Sequence, residues 1–221
     1  MKEKLIVMLT HHDVTVKNAK EVFKECADLP VQNWGFKDVG LPPKEMKELC
    51  QMMKAAGKTT FLEVVTYSES ECLRGAQLAV ECGFDYLAGT IFYDSVMDYI
   101  KQHDLKYCPF VGHVSGSPSV LEGTVEFCVG QAEEYREKGA YGIDLLGYRY
   151  ADGDPEVFSA EVVKECKLPV IMAGSIDSPA RIEVVRKMNP WTFTMGSALF
   201  DKKFVKEGTF RENLEKVVSL L

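Results

Sequence analysis

The sequence predicts a single (β/α)8 barrel of eight parallel strands that extends over residues 1–221. Apolar, strand-like runs alternate with helix-period segments along the whole chain, an order typical of a parallel sheet with helical crossovers. The 221 residues give about 28 residues per repeat, close to the usual length of such a barrel. The last two strand-like runs each end in Gly-Ser, at Gly174-Ser175 and Gly196-Ser197.

Each of the eight strands is predicted from a short apolar run that turn residues bound. These runs are 5–9, 31–36, 59–65, 86–88, 106–111, 141–145, 170–173 and 192–195. Between them, Asp154-Pro155 and Ser178-Pro179 each place a capping side chain directly before a proline, which is typical of a helix start. Three helices are expected to end on a left-handed glycine shortly before the next strand, at Gly57, Gly83 and Gly139.

The composition favours a cytoplasmic, globular protein. The formal net charge is -7, which argues against a broad nucleic-acid surface because binding to phosphate backbones needs clustered Lys and Arg. The first residues lead into only a short apolar run, so neither a signal peptide nor a membrane span is predicted. Seven scattered cysteines without a C-x-x-C pair indicate core or helix residues. The oligomeric state stays open, a homo-oligomer included.

The two Gly-Ser turns are the strongest functional signal. Glycine lets the backbone approach an anion closely, and a helix start offers unpaired N–H groups with a favourable dipole. Both turns are expected to lead directly into a helix, as they do where the last two strands of a barrel bind phosphate. The alternative is that glycine only closes two tight turns.

At these turns the chain resembles the ribulose-phosphate-binding barrel superfamily, which includes sugar-phosphate epimerases, decarboxylases and enzymes of histidine and tryptophan biosynthesis. In those barrels the turn after strand seven, together with the turn and short helix after strand eight, binds the substrate phosphate. The matching residues here are Gly174, Ser175, Gly196 and Ser197. The resemblance implies a small phosphorylated ligand and leaves the reaction open.

Glu63 and Lys37 are predicted to form a pair at the mouth of the barrel. Glu63 lies within an apolar strand, where a lone carboxylate is costly unless it is paired or used in catalysis. Lys37 follows the preceding strand, and a barrel places it beside Glu63. The pair is either a proton-transfer couple, with Glu63 as base and Lys37 as acid or electrophile, or a structural ion pair. Schiff-base chemistry at Lys37 is a variant of the catalytic interpretation.

Asp144 and His113 complete the predicted catalytic set. Asp144 lies on strand six, where the resembling families often carry a catalytic acid, and the alternative is a carboxylate bonded to a neighbouring strand end. His113 opens the loop after strand five, and its titration range suits acid–base catalysis. A packing or surface role is the alternative for His113.

The residues after strand one and strand six are predicted to contact the substrate, through His12 and Arg149. Arginine suits bidentate recognition of a carboxylate or phosphate, and an exposed loop position is the alternative for Arg149. No cofactor is firmly predicted.

A divalent metal ion is an alternative for the segment after strand one. His11, His12 and Asp13 would ligate it together with Glu63 or Asp144. Against this, Asp13 would simply cap the first helix.

Three loops after strands, 37–43, 112–119 and 147–154, are expected to act as specificity loops or lids. Together these features predict an enzyme that acts on a small phosphorylated metabolite by acid–base chemistry, as an isomerase or epimerase or as a lyase or aldolase. The alternative is a regulator that binds a phosphometabolite without chemistry, as in the glycerol-operon antiterminator proteins. Fold analogy alone does not decide between them.

Overall fold

A computed structural model describes residues 1–221, and its eight central strands form one parallel sheet. The strands are β1 (Leu5–Met8), β2 (Asn33–Lys37), β3 (Thr59–Val64), β4 (Tyr86–Gly89), β5 (Lys106–Cys108), β6 (Ile143–Leu145), β7 (Val170–Met172) and β8 (Thr192–Met195). Their order in the sheet is β6-β7-β8-β1-β2-β3-β4-β5. Phe110, just after β5, bridges Asp144 of β6, so the two edges meet and the predicted (β/α)8 barrel is confirmed.

Every predicted strand is present, but β5 is shorter than the sequence pattern indicates. The apolar run continues to Val111, whereas the strand ends at Cys108 because Pro109 has no N–H to donate to a ladder. The carbonyl of Pro109 still accepts a hydrogen bond from the N–H of Asp144 at 2.8 Å. The closing seam of the barrel is therefore made by isolated contacts.

Nine helices surround or extend the barrel. They are α1 (Ala19–Cys26), α2 (Pro43–Ala55), α3 (Glu69–Cys82), α4 (Asp94–Ile100), α5 (Val125–Lys138), α6 (Pro155–Glu165), α7 (Pro179–Met188), α8 (Ser197–Phe200) and α9 (Phe210–Leu220). The predicted caps form: the side chain of Asp154 accepts from two N–H groups of α6, and that of Ser178 accepts from one N–H of α7. Two short hairpins, Thr10–His11 with Val14–Thr15 and His113–Ser115 with Val120–Glu122, follow β1 and β5.

The core has two parts because side chains alternate along each strand. Leu5 and Val7 of β1 belong to the large cluster between strands and helices, whereas Ile6 and Met8 belong to a small cluster inside the barrel. Phe61 of β3 is also in the interior cluster. Glu63, two residues further along the same strand, therefore faces the interior as well.

All seven cysteines are free, and six of them are buried, as their scattered positions predict. No helix in the structure combines the length and the apolar character that a bilayer crossing requires.

Candidate functional site

A cavity of about 280 Å³ opens at the carboxyl ends of the barrel strands. It brings together most of the residues that the sequence singles out. Of the predicted catalytic, phosphate-binding and substrate-binding residues, those that line it are Lys37, Glu63, Arg149, Gly174, Ser175, Gly196 and Ser197. Asp144, His113 and His12 lie outside this lining, whereas Asp13, one of the alternative metal ligands, is part of it.

The two Gly-Ser turns form one wall of the cavity. Gly174 and Ser175 both have a left-handed backbone, with φ of 89° and 46°, which costs little for glycine and more for serine. The N–H groups of Gly174, Ser175 and Gly196 donate to no backbone carbonyl. Unpaired N–H groups in such a concave turn can bind an anion.

The expected helix start is present at the second turn only. Gly196 is the N-cap residue of α8, which begins at Ser197 and has four residues, whereas α7 begins at Pro179, four residues after Ser175. At the first turn the donors are therefore N–H groups of the turn itself. Arg181 holds the first turn in place, since its Nη1 donates to the carbonyl of Ser175 at 2.6 Å and to Asp177 at 3.0 Å.

Lys37 and Glu63 lie opposite the turns as direct neighbours in the β2–β3 register. Nζ of Lys37 is 3.6 Å from Oε1 of Glu63 and 2.8 Å from Oδ1 of Asp13. Burial opposes the charge on the ammonium group, but the carboxylates of Glu63 and Asp13 outweigh it and raise the pKa of Lys37. Lys37 is therefore a cation at neutral pH.

Asp13 lies in the turn of the first hairpin and links two cations of the site. Besides Lys37, it contacts Arg149, with 3.8 Å between Oδ1 and Nη2. Burial alone would raise the pKa of Asp13, but the hydrogen bond from Lys37 lowers it overall. Asp13 does not cap α1, which begins after Asn18. The sequence predicts Asp13 only as a helix cap or a metal ligand. Its contact with Lys37 could not be predicted, because the two residues meet only in the folded barrel.

Asp144 lies beneath the main cavity and is only 2% exposed. It shares with Glu63 a second cavity of about 10 Å³, close to the volume that one water molecule needs. Its Oδ1 atom has no hydrogen-bond partner. The backbone N–H of Gly89, at the end of β4, interacts with the carboxyl group and acts to lower its pKa, which agrees with the alternative of a carboxylate bonded to a neighbouring strand end. Burial, reinforced by the charge of Glu63, raises the pKa of Asp144 well above its ordinary value. The neutral carboxyl group is thus favoured.

Replacing Asp144 by asparagine should make the free energy of unfolding less dependent on pH. Because the folded pKa lies above the unfolded value of about 3.9, the folded state binds more protons, and wild-type stability falls as the pH rises between the two values. Asp144→Asn loses this titration, so it should gain stability relative to wild type as the pH rises above about 4. Urea unfolding of both proteins at several pH values measures the difference, and a difference independent of pH would contradict a raised pKa.

The two predicted histidines lie outside the cavity. His113 is exposed in the second hairpin, and its ring stacks on Phe127 with 4.6 Å between centroids. His12 is exposed in the turn of the first hairpin, and its N–H donates to Oγ of Ser197 at 3.2 Å. The packing alternative for His113 therefore agrees with the structure better than a catalytic role.

The side chain of Arg149 lines the cavity and packs against Gly174 of the first Gly-Ser turn. A Cβ atom at position 174 would lie 3.0 Å from Cγ of Arg149, tighter than ordinary packing allows. Gly174 is thus needed both for its left-handed backbone and for the approach of this side chain. Each of the three expected specificity loops supplies one lining residue, namely Lys37, Ser119 and Arg149.

Several lining residues have no motif in the sequence that would identify them. Polar examples are Thr10, Ser119, Asp177, Thr194, Asp201 and Lys203. Asp201 and Lys203 follow α8. The only feature of the sequence that could have indicated them is their position after the last Gly-Ser turn, at the carboxyl end of the final strand.

No protein-family model matches the chain, and the search of curated proteins gives no match. Solved structures of similar fold include orotidine 5'-phosphate decarboxylase from Pyrococcus horikoshii OT3, with 12% identity, a TM-score of 0.68 and 98% of each chain covered. N-acetylmannosamine-6-phosphate 2-epimerase from Clostridium perfringens has 12% identity and a TM-score of 0.65, with 98% of this chain and 92% of that chain covered. These likenesses show the (β/α)8 barrel fold.

Proposed function

We propose that the protein is an enzyme that acts on a small phosphorylated, sugar-like metabolite by acid–base chemistry, as an isomerase or epimerase. One observation carries this proposal: the unpaired N–H groups of the Gly-Ser turns and the Lys37–Glu63 pair line the same cavity. The names of two of the similar structures, both enzymes of phosphorylated compounds, support it. The volume of about 280 Å³ is suited to a small metabolite.

The two walls of the cavity would have different roles. The turns would hold the phosphate, and so fix which end of the substrate reaches the opposite wall. Glu63 would remove a proton from the carbon beside a carbonyl group. Lys37, held as a cation by Asp13, would stabilise the negative oxygen of the resulting enolate.

An aldolase that forms an imine at Lys37 fits the site less well. A nucleophilic lysine needs a lowered pKa so that a neutral amine is present, whereas the two carboxylates raise the pKa of Lys37. Borohydride trapping in the presence of substrate tests this directly. A covalent adduct that disappears in Lys37→Ala would favour the imine over simple proton transfer.

The cavity wall that the two Gly-Ser turns form, here called the phosphate wall, leads to a prediction for Gly196. An added Cβ would lie 2.9 Å from the carbonyl oxygen of Thr10 and 3.1 Å from Cβ of Met8, so Gly196→Ala must displace the turn. We expect affinity for phosphate compounds to fall by about tenfold or more, the equivalent of about one charge-assisted hydrogen bond. Gly130→Ala is the matched control, because nothing lies within 4 Å of its added Cβ. Equal affinities in the two variants would contradict a phosphate site at Gly196.

Solvent deuterium exchange tests the reaction itself. A panel of sugar phosphates is incubated with the protein in deuterium oxide, together with the same sugars without phosphate. The proposal predicts exchange at a carbon next to a carbonyl group in at least one phosphorylated compound and in none of the unphosphorylated ones. Binding of several phosphorylated compounds with neither exchange nor turnover would instead support a regulator.

A further inference from the structure

A second group of candidate ligands lies at the rim of the cavity. His11, His12 and Asp201 each offer one ligand atom, and these three atoms lie within 4.8 Å of one another. Nε2 of His11 is 2.9 Å from Oδ1 of Asp201, and the rings of His11 and His12 are 3.8 Å apart between centroids. The proposed acid–base pair uses none of these residues.

The fold explains how residues almost 200 positions apart come together. Neighbouring residues of an extended strand point to opposite faces, but the turn of the first hairpin has left-handed backbone at His12 and Asp13, with φ of 49° and 62°. The turn thereby brings the rings of His11 and His12 side by side. The hairpin is fixed to α8 by the bond from the N–H of His12 to Ser197 and by the ring of Phe200 stacked on His11. Asp201 follows α8 directly.

We propose that His11, His12 and Asp201 bind a divalent cation, with Zn²⁺ as the preferred ion. Two imidazoles and one carboxylate are a ligand set that Zn²⁺ takes, leaving a fourth position open. Tetrahedral bonds of about 2.0 to 2.1 Å place ligand atoms roughly 3.3 Å apart. The distance of 2.9 Å between His11 and Asp201 is close to this value, and all three ligand atoms lie within 4.8 Å of one another, so side-chain rotations that bring them closer would complete the site.

This site differs from the one that the sequence suggests. There, Asp13 is the expected third ligand, but its carboxylate is occupied by Lys37 at 2.8 Å. Asp201 takes its place. Since Asp201 also lines the cavity, the cation would lie beside the proposed phosphate wall, yet its binding does not depend on the proposed reaction.

The test is Zn²⁺ binding to the whole protein after treatment with a chelator, measured by calorimetry with zinc chloride alone. The proposal predicts one tight site per chain. His11→Ala and Asp201→Asn should each weaken it by about 100-fold or more, since even residues behind the ligands contribute about 10- to 100-fold. The controls are the other two histidines, as His103→Ala and His113→Ala, and the partly exposed cysteine, as Cys166→Ser. These three should bind Zn²⁺ like wild type.

Thermal unfolding provides a readout that remains informative if a variant is less stable. Excess Zn²⁺ should raise the melting temperature of wild type, because a ligand of the folded state stabilises it, and should not raise that of His11→Ala or Asp201→Asn. Absence of a tight site in wild type, or an affinity in His11→Ala and Asp201→Asn equal to that of wild type, would overturn the proposal. In that case the bond between His11 and Asp201 only anchors the hairpin to α8. Neither result bears on whether sugar phosphates exchange deuterium.

Discussion

Glu63→Gln should lower turnover of the phosphorylated substrate by about 10²- to 10⁴-fold, the usual contribution of a positioned general base. The change removes the base while keeping the shape and most of the hydrogen-bonding capacity of the side chain. Lys37 keeps the carboxylate of Asp13 at 2.8 Å, so the cation does not lose all its partners. Because the phosphate wall is untouched, the KM should change little, a pattern typical of an interaction made in the transition state. Steady-state kinetics on a compound that exchanges deuterium measures both constants.

Asp13→Asn is the matched control for this prediction. Asp13 also pairs with Lys37, but its side chain is 44% exposed whereas that of Glu63 is 15% exposed. A positioning carboxylate at the edge of the site should affect turnover far less than the base. A loss in Asp13→Asn as large as that in Glu63→Gln would contradict the assignment of Glu63 as the base.

Lys37→Met should destabilise the fold by about 3 kcal/mol, or roughly 10 °C in Tm for a chain of this length. The side chain of Lys37 is 10% exposed and supplies the cation for Glu63, and its charge also lowers the pKa of the buried Asp144. Removing the cation leaves the carboxylate of Glu63 without its charged partner in the barrel interior, where an unpaired charge is costly. Methionine preserves much of the apolar volume, so the loss reports on charge more than on packing. Urea or thermal unfolding measures it.

The double variant Lys37→Met/Glu63→Gln separates charge from packing. If the uncompensated carboxylate of Glu63 causes most of the destabilisation, the double variant should be more stable than Lys37→Met alone, a coupling that a double-mutant cycle detects. Additive losses in the two single changes would show that the lysine side chain matters through packing only.

The barrel itself could be predicted because its signals are local. Each β-strand is a short apolar run, each cap at Asp154 and Ser178 involves a few neighbouring residues, and the order of elements limits the topology. The early end of β5 at Cys108 was the main departure, although Pro109 gave the reason in the sequence. Local rules of this kind remain valid whatever the tertiary contacts are.

The site could be predicted only where strand ends define it. Lys37, Glu63 and the Gly-Ser turns follow from strand positions, since the barrel brings successive strand ends to one face. The contact of Asp13 with Lys37 depends on where the two-residue turn of the first hairpin meets the end of β2, and that of His11 with Asp201 depends on where the same hairpin meets the end of α8. Such long-range contacts have no periodic pattern. His113 is the opposite case. It follows a strand and is of a residue type suited to catalysis, but it lies in the second hairpin, outside the cavity.

A crystal structure of the protein with inorganic phosphate tests the proposed phosphate site most directly. We expect a phosphate ion between the turns at Gly174-Ser175 and Gly196-Ser197, bound by the N–H groups that donate to no backbone carbonyl. The opposite wall, with Lys37 and Glu63, should then face the remaining space of the cavity. Phosphate bound elsewhere on the barrel, with these turns left without an anion, would contradict a phosphate site at the Gly-Ser turns.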